Sequence, residues 1–214
     1  MDRNWRRRIV KKIVIFGTIF SLRFLMESTN VWAANSPLDV IRSTTNQALA
    51  VLSNPASHDK AQRQQQLEQM WMVLLPKFDT EEIARRSLGV HWQKLTEEQK
   101  KEFTRLFIQL VKKNYSSTLN RYTTDAQFSF DEEHIEGEQA EVQTRIMAPD
   151  QERPFSVVYK LHREGETWLI YDVVAENVSL VQNYRNQFSR IIAKSSLEGL
   201  FDTLKQKLAE LAAT

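Results

Sequence analysis

Cysteine is absent from this chain, so no disulfide framework, thiolate metal site or cysteine nucleophile is available to it. Glycine and proline are scarce, five of each, and no glycines cluster into a phosphate-cradling loop. The four histidines, His58, His91, His134 and His162, are scattered, and none stands at metal-ligand spacing from a second histidine or carboxylate. No serine sits in a nucleophile turn with His and Asp partners. A strong charge of either sign is missing too. The formal net charge of the 214 residues is only +2. The first 33 residues hold seven Lys/Arg and two acids, which leaves 22 of the 29 bases and 25 of the 27 acids for the rest, a net of −3. An acidic body with no basic patch is a poor nucleic-acid binder, because phosphate contacts require one.

A long apolar run is also lacking. The longest, Ile13 to Leu22, has ten residues, too few to span a bilayer as a helix. It follows a basic stretch ending at Lys12, and Val31-Trp32-Ala33 places small residues at −3 and −1 of a cleavage point. Residues 1–33 therefore read as a signal peptide removed before Ala34, leaving a periplasmic domain over 34–214. An uncleaved amphipathic anchor is the alternative reading of the same stretch.

What is present is periodicity. Ser36-Pro37 predicts a helix start, running toward Leu52. A second helix over about 58–74 ends at Pro76, and a short one capped by Asp79 closes at Gly89. Glu81, Glu82, Arg85 and Arg86 on it read as a solvated face. Thr96-x-x-Gln99 is a capping box opening the longest helix, about 96–121, with a stripe from Phe103 through Leu106, Phe107, Leu110, Val111 and Tyr115 to Leu119. After Thr124 the period becomes two. Phe128 and Phe130 mark one strand, and Ala140, Val142, Thr144 and Ile146 the next. Phe155 to Leu161 makes a third, turning at Gly165 into a fourth that is apolar on both faces from Trp168 to Val174. There Asp172 is predicted to share a face with Trp168, Ile170 and Val174. Two helices follow, one from about 179 and one opened by Ser195-x-x-Glu198. The fold class is α+β: a helical N-terminal half, a four-stranded curved antiparallel sheet, and two C-terminal helices enclosing an apolar cavity.

Asp172 is the one acid that stands out, a carboxylate among apolar neighbours and hence a possible general base. Its bland reading is a strand-end residue bonded to Arg185, Arg190 or a backbone N–H, since no second catalytic group accompanies it. No metal or cofactor is predicted.

Phe78-Asp-Thr-Glu-Glu-Ile-Ala-Arg-Arg-Ser-Leu-Gly89, with Trp92 and Phe103 after it, resembles the first signature of the MlaC family. Tyr171-Asp-Val-Val-Ala-Glu-Asn-Val-Ser-Leu-Val181 with Tyr184-Arg185 resembles the second, and Leu197 to Lys205 the third. Asn177 departs from the family, which usually has Gly there, but Asn tolerates positive φ best after Gly. The resemblance implies a non-enzymatic, monomeric periplasmic carrier of glycerophospholipid, without nucleic-acid partners. It would exchange cargo between an inner-membrane ABC transporter with a ring-shaped lipid-binding subunit and an outer-membrane lipoprotein–porin complex, maintaining outer-membrane lipid asymmetry. For the pocket, the inward face of the sheet is expected to contribute Val142, Thr144, Ile146, Val157, Tyr159 and Tyr171, and the helices Leu75, Leu110 and Tyr115. The alternation leaves the opposite sheet face as the other choice. Two rival classes stand beside the carrier: a small cone-fold isomerase or hydratase using Asp172, and a structural periplasmic module with a filled core.

Overall fold

In the computed structural model, residues 36–52, 60–121, 126–149 and 151–212 are described. They all belong to one unit beginning at Ala34; the predicted signal peptide, residues 1–33, lies outside the described residues. Four helices come first: α1 (Pro37–Leu52), α2 (Lys60–Leu74), α3 (Thr80–Leu88) and α4 (Glu97–Arg121). The strands β1 (Gln127–Glu136), β2 (Gln139–Met147), β3 (Phe155–Glu164), β4 (Thr167–Ala175) and β5 (Val178–Ser179) follow, and then α5 (Leu180–Lys194) and α6 (Leu197–Ala212).

The helix boundaries follow from local hydrogen bonding. The Ser36 hydroxyl accepts from the Asp39 amide at 3.1 Å, and Pro37 opens α1. Asp79 caps α3 by accepting from the Glu82 amide at 2.8 Å. Thr96 and Gln99 form a reciprocal box, Gln99 N–H to the threonine hydroxyl at 3.3 Å and Thr96 N–H to the glutamine oxygen at 2.9 Å. The last helix departs from expectation. Ser196, not Ser195, accepts from the Gly199 amide at 3.1 Å, and Ser195 instead ends α5. Gly89 adopts φ +59° and ψ −131°, a backbone region essentially reserved for glycine, where α3 stops.

The sheet is a meander in the order β1-β2-β3-β4-β5, antiparallel throughout. It has five strands rather than four. Residues 176 and 177 both take positive φ, 46° and 65°, so the chain reverses tightly and Val178-Ser179 pairs back on β4. The asparagine at 177 performs the turn that glycine would. Two bulges interrupt the ladder, at Asp131 in β1 and at Tyr171 in β4. Each inserts an extra residue, which bends its strand and increases the twist.

Two apolar layers result. On one side of the sheet, Ile41 of α1 packs with Ala140, Val142, Leu161, Trp168 and Ile170. The other layer is wholly helical: Ile83, Ala84 and Leu88 of α3 meet Phe103, Leu106, Phe107 and Leu110 of α4, Val181, Tyr184 and Phe188 of α5, and Leu200, Phe201 and Leu204 of α6. Phe103 is its centre, with ring centroids of Phe107, Phe188 and Phe201 at 5.8, 5.5 and 6.1 Å. No described helix is long and apolar enough to cross a membrane.

Candidate functional site

Between these layers lies a cavity of about 210 Å³ with almost entirely apolar walls. α1 contributes Ile41, Thr44 and Thr45, α2 Trp71 and Leu74, and the turn after α2 Leu75 and Phe78. α3 adds Thr80 and Ile83, and α4 adds Ile108, Val111, Lys112 and Tyr115. The sheet side consists of Tyr159, Ile170, Asp172 and Val173, with Leu180 from α5.

The bulge in β4 determines that wall. Residues directly opposite in an antiparallel ladder share a face, and here Leu161 faces Ile170, whereas Tyr159 faces Val173. Tyr171 is the inserted residue between those pairs. Ile170 and Val173 therefore point the same way, and Asp172, paired with Lys160, alternates to the other face while still bordering the cavity. The expectation that Asp172 shares a face with Trp168 and Ile170 is thus corrected. The edge of β4 at Ile170 is closed by residues 78–79, the Asp79 amide donating to the Ile170 carbonyl at 2.9 Å.

Of the nine residues chosen from the sequence, the structure places Leu75, Tyr115 and Tyr159 on the cavity wall. The other six lie off it, each for a local reason. Leu110 is buried on the face of α4 that meets α3, α5 and α6. Val142 is one strand further from the β4 edge and lies under Ile41. Thr144 and Val157 face one another one row beyond Tyr159, and Ile146 lies a further row away; all three are buried there. Tyr171, the bulged residue, is turned away, its ring under the Arg86 guanidinium at 4.1 Å and edge-on to His162 at 5.8 Å. The missed wall residues on α4 did leave a signal. Ile108, Val111, Lys112 and Tyr115 repeat at three, one and three, a second stripe beside the core stripe Phe103-Leu106-Phe107-Leu110.

Asp172 is 7% exposed and fully engaged with the start of α5. It accepts from the Ser179 hydroxyl at 2.6 Å, the Val181 amide at 3.1 Å and the Val173 amide at 2.9 Å. Its partners are thus backbone N–H groups and a serine, not Arg185 or Arg190. Arg185 donates from Nε to the Arg86 carbonyl at 2.8 Å instead, tying α5 to α3. Burial raises the Tyr115 phenol and pushes Tyr159 up to about 12, so both stay neutral at the wall. No group of three or more metal-ligating side chains is assembled among the described residues.

Glu81 and Arg85 on α3 are exposed as a solvated face requires, but Glu82 between them is largely covered. Arg85 forks the Glu82 carboxylate and Arg86 shares it, leaving the Glu82 side chain 15% exposed. The hydrogen bond from Arg85, chiefly, holds the Glu82 carboxyl down from 4.5 to about 2. A depressed carboxyl contributes stability that is complete above its unfolded value and lost as pH falls through the folded one. Wild type should therefore exceed Glu82→Gln by about 1 kcal/mol at neutral pH, discounted for the partly exposed arginines. That margin should shrink below pH 4.5 and vanish near pH 2. Urea denaturation of both proteins across that range checks it; a pH-independent difference would remove the ion cluster from the account.

An α+β domain with an apolar cavity between a helical layer and a bulged meander is the class of protein this geometry defines. The chain belongs to the MlaC family: the family's model, described as "MlaC protein", matches residues 42–206. Among curated proteins, the chain is 21% identical over 140 residues to the intermembrane phospholipid transport system binding protein MlaC of Haemophilus influenzae. That match spans 64% of this chain and 65% of the relative. Among solved structures, the fold is similar to that of a phospholipid-binding protein from Ralstonia solanacearum, determined in complex with a phospholipid. The TM-score is 0.71 at 20% identity, over 81% of this chain and 97% of that one.

Proposed function

We propose that this chain is a non-enzymatic binding protein for glycerophospholipid. In this reading it takes the acyl chains into the cavity and carries them between membranes across the periplasm. The carrying observation is the cavity itself, apolar on nearly every wall and enclosed by helices and the sheet. The H. influenzae relative's name and the phospholipid in the R. solanacearum structure support the same cargo.

The energetics suit a carrier. Two sixteen-carbon tails hold about 30 methylenes, each contributing roughly 0.8 kcal/mol when removed from water, a gross term of about 25 kcal/mol. Free complexes do not normally reach that figure, so such a lipid crosses water only inside an apolar sleeve. Sleeve and bilayer remove similar area from water, and transfer between them is nearly neutral. Direction then comes from partners: on this reading, the inner-membrane ABC transporter with its ring-shaped subunit and the outer-membrane lipoprotein–porin complex, with outer-membrane asymmetry as the outcome. The acid that supported an isomerase reading is bonded to α5 through both oxygens, which favours the carrier.

A second implication concerns the walls. A cavity of about 210 Å³ is smaller than the roughly 300–1,000 Å³ of ordinary small-molecule pockets. Two tails require the walls of the chamber to move apart on loading. Native mass spectrometry and solvent extraction of protein purified without detergent should reveal bound glycerophospholipid. Protein that carries no lipid and takes none from liposomes would end the carrier reading.

A further inference from the structure

Among the described residues, Lys112 is the one cationic side chain on the cavity wall, and it is also 24% exposed, so it sits where the cavity meets solvent. Its ammonium pairs with Glu68 of α2 at 2.9 Å, and that glutamate is 53% exposed. A second link between the same helices lies one turn on, where the Trp71 indole N–H donates to the Ser116 hydroxyl at 3.1 Å. Trp71 is itself a wall residue. The two polar links thus hold α2 against α4 along one margin of an apolar chamber.

An exposed ion pair of this kind contributes little to stability and exchanges partners readily. A charged lysine on a tail-binding wall has no partner among methylenes. It has one in the phosphodiester of a lipid whose tails fill the chamber, since both a carboxylate and a phosphate accept from an ammonium. We propose that Lys112 is the phosphate-reading residue of the cavity: its ammonium exchanges the Glu68 carboxylate for the phosphodiester of the bound lipid, which frees α2 from α4 as the lipid enters. The inference rests on the phospholipid reading above and adds to it the residue that distinguishes a phospholipid from a neutral lipid with the same tails. It also couples loading to the separation that the small chamber requires, because the incoming phosphate breaks one of the two links that hold the wall shut.

The test compares uptake of dioleoyl phosphatidylglycerol and dioleoylglycerol from vesicles of dioleoyl phosphatidylcholine. Wild type should prefer the phospholipid by about tenfold, the size of one charge-assisted hydrogen bond. Lys112→Met should bind both with nearly equal affinity while keeping its thermal midpoint, and Lys112→Arg should retain the preference. Glu68→Gln removes the competitor and should raise phospholipid uptake roughly two- to fivefold, with diacylglycerol uptake rising less. An unchanged preference in Lys112→Met, or equal uptake of the two lipids by wild type, overturns the role of Lys112 and leaves the lipid reading standing. Uptake of neither lipid, nor of the host phosphatidylcholine, by wild type overturns both.

Discussion

Val173→Arg should empty the cavity. Val173 projects from β4 beside Tyr159, on the face that the bulge turns toward the helices. A guanidinium there either remains in an apolar chamber, at a cost of several kcal/mol, or reaches out past Lys112 and fills the chamber with its own stem. Either way lipid retention should fall by about a hundredfold or more, near 3 kcal/mol. Gln143→Arg, the same change at an exposed position of β2, should leave retention unaltered. Extraction and lipid mass spectrometry on the two variants decide the matter. Lipid retained by Val173→Arg would move the tails to another part of the protein.

Asp172→Ala should be the most damaging polar substitution for the fold. It leaves the Ser179 hydroxyl and the Val181 amide, at the first turn of α5, without their acceptor. Loss of a buried carboxylate with three donors should cost about 2–4 kcal/mol, a fall of roughly 5–15 °C in the thermal midpoint of a domain this size. Asp172→Asn keeps the shape and one acceptor, so it should lose less and bind lipid normally once folded. Calorimetry paired with lipid extraction separates the two effects. Bound lipid lost at unchanged midpoint would return Asp172 to the role of a reacting group.

The contrast between these two residues shows where sequence was a sufficient guide. The helices were legible because caps and stops are local: Ser36-Pro37, Asp79, Thr96 with Gln99, and Gly89 each act within four residues. The strands were legible by their period of two, as was the turn at Gly165, which takes positive φ. The cavity was not, because a strand bulge resets the alternation. One extra residue at Tyr171 sent Asp172 to the far face and brought Val173 to the wall, and no count of apolar residues along β4 reveals it. On α4 the difficulty was of another kind. A single helix carries two apolar stripes side by side, one for the helical core and one for the chamber, and the longer one drew attention from Ile108 and Lys112. Leu110, Val142, Ile146 and Val157 are buried in packing off the cavity, Thr144 is buried with its hydroxyl on the Val157 carbonyl, and Tyr171 packs under Arg86. The fifth strand escaped because two residues carry no period.

The order of the sheet has a consequence for how the molecule is made. Each strand pairs with its chain neighbour, so residues 127–179 can build the meander by successive local closures. The chamber has no such economy. Its wall at residues 78–79 bonds to Ile170, more than ninety positions later, and Ile41 of α1 packs against strand residues from 140 onward. During synthesis α1 can cover Ala48 and Leu52 on α2 at once, but the chamber face of the helical half stays open until β4 emerges. The sheet wall of the chamber is thus in place only after β4 has emerged, and the helical core closes later still, when α5 and α6 arrive.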